Sequence, residues 1–124
     1  MKAKIKSTVE KNFTDPNFDV NKLAELLGIC RNYLYISCQF ELDCSPHEYI
    51  EFFRIQKSKE LLLNGFKIIE VCKKSGYSNK KTFYSAFKRQ LNITPIEFFR
   101  KNALIIISSN LLLKIFMLQI YTPF

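Results

Sequence analysis

Val20–Cys38, VNKLAELLGICRNYLYISC, and Ile68–Phe87, IIEVCKKSGYSNKKTFYSAF, are the two stretches whose reading decides the fold. In the first, Val20, Leu23, Ala24 and Leu27 recur at i, i+3, i+4 and i+7, the spacing of one apolar helix face. Asp19 stands where an N-cap belongs, and Gly28 where a helix closes in the left-handed region. After that tight turn, Leu34 and Cys38 lie one turn apart and mark a second helix. In the later stretch Ile68, Val71 and Cys72 take the places of Val20, Leu23 and Ala24. Ser75-Gly76-Tyr77 replaces Leu27-Gly28-Ile29, and Phe83 and Phe87 replace Leu34 and Cys38. Two short helices around a glycine-containing turn make a helix-turn-helix. Helix, glycine and next helix repeat in step at a spacing of roughly 48 residues, which predicts a duplicated unit.

Working outward, the segment from Pro46 to Leu63 carries Tyr49, Ile50, Phe52, Phe53, Ile55 and Leu61 to Leu63, an apolar stripe too wide for a helix touching one neighbour. It reads as a central helix packed on both units and ended by Asn64-Gly65. An opening helix from about Lys4 to Phe13 stops near Asp15-Pro16, and Thr94-Pro95 begins a closing helix. The expected fold is all-α, with about seven helices in two homeodomain-like lobes joined by a linker helix. The boundaries are a first lobe over 1–47, a linker over 48–65, a second lobe over 66–102 and an apolar extension over 103–124.

The bulk numbers agree. A chain of 124 residues holds one compact domain or two very small lobes. Three glycines and four prolines supply too little turn chemistry for an all-β fold. The net charge of +8 asks for a polyanionic partner, which nucleic acid or an anionic membrane surface would satisfy. Cys30, Cys38, Cys44 and Cys72 include no C-x-x-C pair and are expected to be reduced, core-type thiols. His47 is the only histidine, so a catalytic base or metal cluster lacks members. No P-loop, G-x-S-x-G, H-E-x-x-H or paired-carboxylate constellation occurs, so neither an enzyme nor a cofactor is expected. Met1 to Glu10 is charged and lacks an apolar secretion-signal core, which makes the cytoplasm the expected location.

Charge is unevenly shared. Between Lys67 and Lys101 nine Lys and Arg residues oppose Glu70 and Glu97, a net of +7. Between Asp19 and Glu51 only Lys22 and Arg31 oppose six acids, a net of −4. The second unit is therefore expected to carry most of the affinity for a polyanion.

The stretch Gly76-Tyr77-Ser78-Asn79-Lys80-Lys81-Thr82-Phe83-Tyr84-Ser85-Ala86-Phe87-Lys88, followed by Asn92-Ile93-Thr94-Pro95-Ile96-Glu97-Phe98-Phe99-Arg100, resembles the signature of the AraC/XylS family of bacterial transcription activators. Leu23-Ala24-Glu25-Leu26-Leu27-Gly28, Tyr49, Arg54 and Leu61-Leu62 support the resemblance, which covers about Ile5 to Lys101. It implies a sequence-specific regulator whose two recognition helices enter successive major grooves about 34 Å apart on double-stranded DNA. It also implies the contacts: Asn32, Tyr35 and Ile36 in the first unit and Lys81, Thr82 and Ser85 in the second would meet bases. Arg31, Asn79, Lys80 and Lys88 would sit nearer the phosphates. RNA polymerase is a further expected partner; a small-molecule site and a membrane partner are not expected.

The first unit departs from the family pattern. Ser37 and Cys38 stand where a large aliphatic and a Phe are usual, Phe40 and Leu42 where polar residues are usual, Asp43 in place of a closing glycine and Cys30 in place of a capping Ser. These changes are expected to weaken packing or capping, to make the first lobe less stable, and to leave Tyr35 and Ile36 with only van der Waals contacts in the groove. In the second unit Asn92 replaces a glycine, and Lys67 a capping Ser or Thr. Phe83, Phe87, Tyr77 and Phe98 are expected in the core.

Beyond Asn102 the chain turns apolar, from Ala103 to Leu118, broken by Ser108-Ser109-Asn110 and Lys114. It is open to three readings: a helix packed on the domain or a partner, a tail from a truncated or frame-shifted gene, or a membrane anchor. With the acidic first unit, it motivates a rival function, a protein-interaction or membrane-surface module.

Overall fold

The computed structural model describes residues 1–103 and contains α1 (Lys2–Asn12), α2 (Val20–Leu27), α3 (Arg31–Leu42), α4 (Pro46–Leu63), α5 (Ile68–Lys74), α6 (Lys80–Leu91) and α7 (Pro95–Lys101). No strand occurs among the described residues. The opening helix starts two residues earlier than its periodicity indicates, because Lys2 and Ala3 extend it without burying anything. Apart from Ala103 at its start, the apolar extension and the expectations for it lie outside the described residues.

Each unit closes its first helix with the same backbone device. In α2, the Asp19 side chain accepts from the Lys22 N–H at 2.9 Å, and Gly28 takes φ 69° while the Ile29 N–H reaches the Ala24 carbonyl at 3.1 Å. In α5, Gly76 takes φ 95° and the Tyr77 N–H reaches the Cys72 carbonyl at 3.1 Å. The repeat in the sequence is thus a repeat of hydrogen bonds. The Cys30 and Lys67 side chains provide no cap, as their chemistry implies. Asp43 and Asn92 adopt the left-handed conformation at φ 55° and 63°, standing in for glycine at the ends of α3 and α6.

Two separate cores result. Ile5 and Val9 of α1, Leu23 and Ala24 of α2, and Leu34 and Cys38 of α3 bury together with Phe18, Val20 and Ile50. Val71, Cys72, Tyr77, Phe83, Ala86 and Phe87 bury together with Ile55, Leu61 and Leu62. Helix α4 serves both, through Ile50 on one side and Ile55, Leu61 and Leu62 on the other, which is why its apolar stripe is so wide. The second core is aromatic: Phe87 meets Phe83 at 5.8 Å and Phe98 at 5.6 Å between ring centroids. Complete burial of Phe83 and Phe87 contributes about 1.5–3 kcal/mol each. At the equivalent places the first lobe has Leu34 and Cys38, which bury less apolar surface.

The cysteines do not behave as one class. Cys38 and Cys72 are buried, Cys44 is half-buried, and Cys30 is exposed, with all four thiols free. Cys30 corrects the expectation of core-type thiols: it occupies the N-cap of α3, outside the helix's apolar face.

Candidate nucleic-acid interface

Helix α6 is built to present a polar face. Asn79 precedes it, and its side-chain oxygen accepts from the Thr82 N–H at 2.8 Å, fixing the first turn. Phe83, Ala86 and Phe87 then turn inward. Lys81, Ser85 and Lys88, at i, i+4 and i+7, necessarily share the opposite face, and all three are exposed. Lys80 and Thr82 are exposed beside them. Asn79 is also exposed, but its oxygen is engaged in the cap, so only its amide N–H groups remain to meet a phosphate.

On α3, Asn32 is exposed, Ile36 retains 67% of its accessible surface, and Tyr35 is half-buried against the first core. Arg31 is exposed yet tethered: one guanidinium nitrogen donates to Asn21 Oδ1 at 2.9 Å, another to the Tyr35 hydroxyl at 3.4 Å, and the group lies 5.6 Å from the Tyr35 ring centroid. The family resemblance implies a place near the phosphates for Arg31 and does not reveal this tie, because Asn21 lies ten residues away on α2. The outward stripe of α3 is Tyr33, Ile36 and Phe40, at 50%, 67% and 89% exposure. The two outward helix faces thus differ in kind, cationic on α6 and apolar on α3.

Arg89 and Glu51 correct the simple division of charge between the units. By position Arg89 counts with the cations of the second unit and Glu51 with the acids of the first, but they pair with each other. Glu51, only 5% exposed in the middle of α4, takes a hydrogen bond from Arg89 on one oxygen and from Gln90 Nε2 on the other, the latter at 2.9 Å. The hydrogen bond to Glu51 raises the Arg89 pKa above its ordinary value. Local sequence patterns could not have shown the pairing, because the partners are 38 residues apart.

Arg54, on the same helix, was legible only as part of a family pattern. Its Nε donates to the Phe13 carbonyl at 2.8 Å, and one terminal nitrogen donates to the carbonyls of Asp15 at 3.1 Å and Phe18 at 2.8 Å. Burial lowers its pKa, opposed by Tyr77, Asp15 and Asp19. Between the lobes lies a cleft of about 220 Å³ bordered by Asp19, Glu51, Arg54, Tyr77, Thr82 and Arg89. It is smaller than the roughly 300–1,000 Å³ of ordinary ligand pockets. Among the described residues no group of three or more metal-ligating side chains occurs, and no helix is long and apolar enough to cross a membrane.

Known proteins share this arrangement. A family described as "Helix-turn-helix domain" matches residues 23–101. The chain is 34% identical over 80 residues to the Msm operon regulatory protein of Streptococcus mutans, covering 64% of this chain and 29% of that protein. It is 28% identical over 91 residues to Histidine kinase P4 of Formosa agariphila, covering 73% of this chain but only 7% of that protein. The chain therefore spans less than a third of the length of these curated relatives, and the kinase similarity is confined to a small part of a far larger protein. Among solved structures, the C-terminal domain of the two-component response regulator yesN from Fusobacterium nucleatum superposes with a TM-score of 0.75 at 28% identity, covering 79% of this chain and 96% of that one. With the duplicated turn, the linker helix and the family match across both units, the chain belongs to the AraC/XylS family of helix-turn-helix transcription regulators.

Proposed function

We propose that this chain is a sequence-specific DNA-binding transcription regulator that reads two successive major grooves of double-stranded DNA, with α6 dominant and α3 subordinate. The observation that carries the reading is the face of α6: Lys81, Ser85 and Lys88 stand together in solvent on a helix whose start is pinned by Asn79. Lys81 can donate to guanine O6 or N7, Thr82 can set its methyl against thymine, and Lys88 and Lys80 neutralise phosphates. Helix α3 stands at the matching place in the repeat and offers Asn32, Tyr35 and Ile36, a set suited to thymine methyls and sugar edges more than to phosphates. RNA polymerase belongs to the same reading as the partner of a bound regulator.

The family assignment weighs against the rival protein-interaction or membrane-surface module. Selection of duplexes from a random pool, followed by titration across salt concentration, tests the proposal. A DNA reader yields an enriched motif and an affinity that falls steeply with salt. Recovery of no motif, or binding indifferent to salt, would overturn it.

A further inference from the structure

Gly28 and Gly76 occupy equivalent turns of the two units, both at positive φ, but their surroundings differ. A Cβ on Gly28 would meet nothing within 4 Å. A Cβ on Gly76 would lie 2.2 Å from the Phe13 carbonyl oxygen, 2.9 Å from Arg54 Nε and 3.2 Å from Thr14 Cα. The turn alone does not demand that crowding, since Gly28 makes the same kind of turn in open space. It arises because the second unit's turn abuts the α1–α2 loop of the first. Arg54 sits in the seam, its guanidinium holding the Phe13, Asp15 and Phe18 carbonyls of the first lobe and lying 5.6 Å from the ring centroid of Tyr77 in the second.

We propose that Arg54 and Gly76 form a lock that fixes the angle between the lobes and so makes the chain selective for the spacing between two DNA half-sites. This rests on the two-groove reading above. Helix α4 alone joins two separate cores as a single rod, and a rod anchored at two ends can bend or twist. A third contact beside the rod removes that freedom. Arginine is the side chain suited to such a seam, because its planar fork reaches three carbonyls and still lies against an aromatic ring, which a lysine ammonium cannot do at once. Inserting one base pair between half-sites turns the second by about 35° around the duplex axis. A locked pair of lobes cannot follow that rotation, whereas a loosened pair can.

The test uses the full chain and duplexes recovered by selection, with derivatives carrying one base pair more or fewer between the half-sites. The wild type is expected to lose about tenfold or more in affinity on the altered spacings. Arg54→Lys, checked for retained helix content, is expected to lose about threefold or less. Gly76→Ala is expected to change the preferred spacing, while Gly28→Ala, which imposes the same left-handed alanine away from the seam, keeps the wild-type preference. A folded Arg54→Lys variant with the full wild-type penalty overturns the lock. Should both seam variants fail to fold, residual dipolar couplings on the free wild-type protein decide: one alignment tensor for both lobes supports the lock, and two independent tensors overturn it. If the wild type binds all spacings equally, spacing selectivity falls: with one alignment tensor for both lobes the two-groove reading falls, and with two independent tensors the lock does. The couplings still report separately whether the lobes are held rigid.

Discussion

Arg89, in the last turn of α6, hydrogen-bonds the buried carboxylate of Glu51 in the middle of α4. The pair fastens α6 to the linker, and its two ends have unequal stakes. Glu51 is almost fully buried, while the Arg89 side chain is 59% exposed and can return to water. Removing the arginine leaves a buried carboxylate with only Gln90 to satisfy it, whereas removing the carboxylate's charge strands no buried charge. Arg89→Met is expected to destabilise the fold by about 3 kcal/mol and Glu51→Gln by about 1 kcal/mol, as measured by urea denaturation. Equal costs would mean that the pair is held at the surface.

Lys81 and Lys88 share a helix face but sit at different heights on it, and their substitutions should differ in kind. Lys81→Ala is expected to relax discrimination at one position of the selected motif by about 1–3 kcal/mol. Lys88→Ala is expected to weaken binding almost uniformly across sequences and lower the salt slope by about one. Competition binding with single-base variants of the motif at several salt concentrations separates the two. If Lys81→Ala changes nothing for any sequence, α6 does not lie in the groove.

Cys30 and Lys67 occupy N-cap positions without providing caps, so both helices begin with backbone donors the side chain leaves unserved. Cys30→Ser and Lys67→Ser are each expected to stabilise the domain by about 0.5–1 kcal/mol, read as a raised midpoint in thermal unfolding. Asn79→Ala, which removes the cap that α6 does possess, is expected to cost about 1 kcal/mol in the same assay.

The thiols divide by burial. Burial pushes the Cys38 thiol up from its ordinary value to about 11, reinforced by Cys44 and Glu41, and burial also raises Cys44 and Cys72. The folded chain therefore keeps a proton that the unfolded chain releases above about pH 9. The resulting stability is whole below about pH 9 and is lost as pH rises towards 11. Denaturation midpoints across that window should fall, and Cys38→Ala should flatten the decline. In a separate measurement at about pH 8, a thiol-alkylating reagent should modify exposed Cys30 first, with Cys38 and Cys72 reacting only on unfolding.

Much of this architecture was legible locally. The periodicity of Val20 to Leu27, the cap at Asp19, the turn glycines and the stop at Asn64-Gly65 each act within one or two helical turns, and the structure uses them as written. The same holds for the face of α6, because inward Phe83 and Phe87 oblige Lys81, Ser85 and Lys88 to point out. The apolar stripe of α3 was foreshadowed by Phe40 in an unusual place, although its exposure was not.

What the chain's order of residues determined by itself is therefore the helices, their ends, the duplication and the cationic face, all set by neighbours within a few positions. Only the tertiary structure decided how one lobe lies against the other. Arg54 finds carbonyls 36 to 41 residues away, Glu51 finds Arg89, and Gly76 is bare because another lobe's backbone stands where its side chain would be. Such contacts depend on closing a long loop of chain, and no local spacing encodes which distant carbonyl will arrive at a given guanidinium.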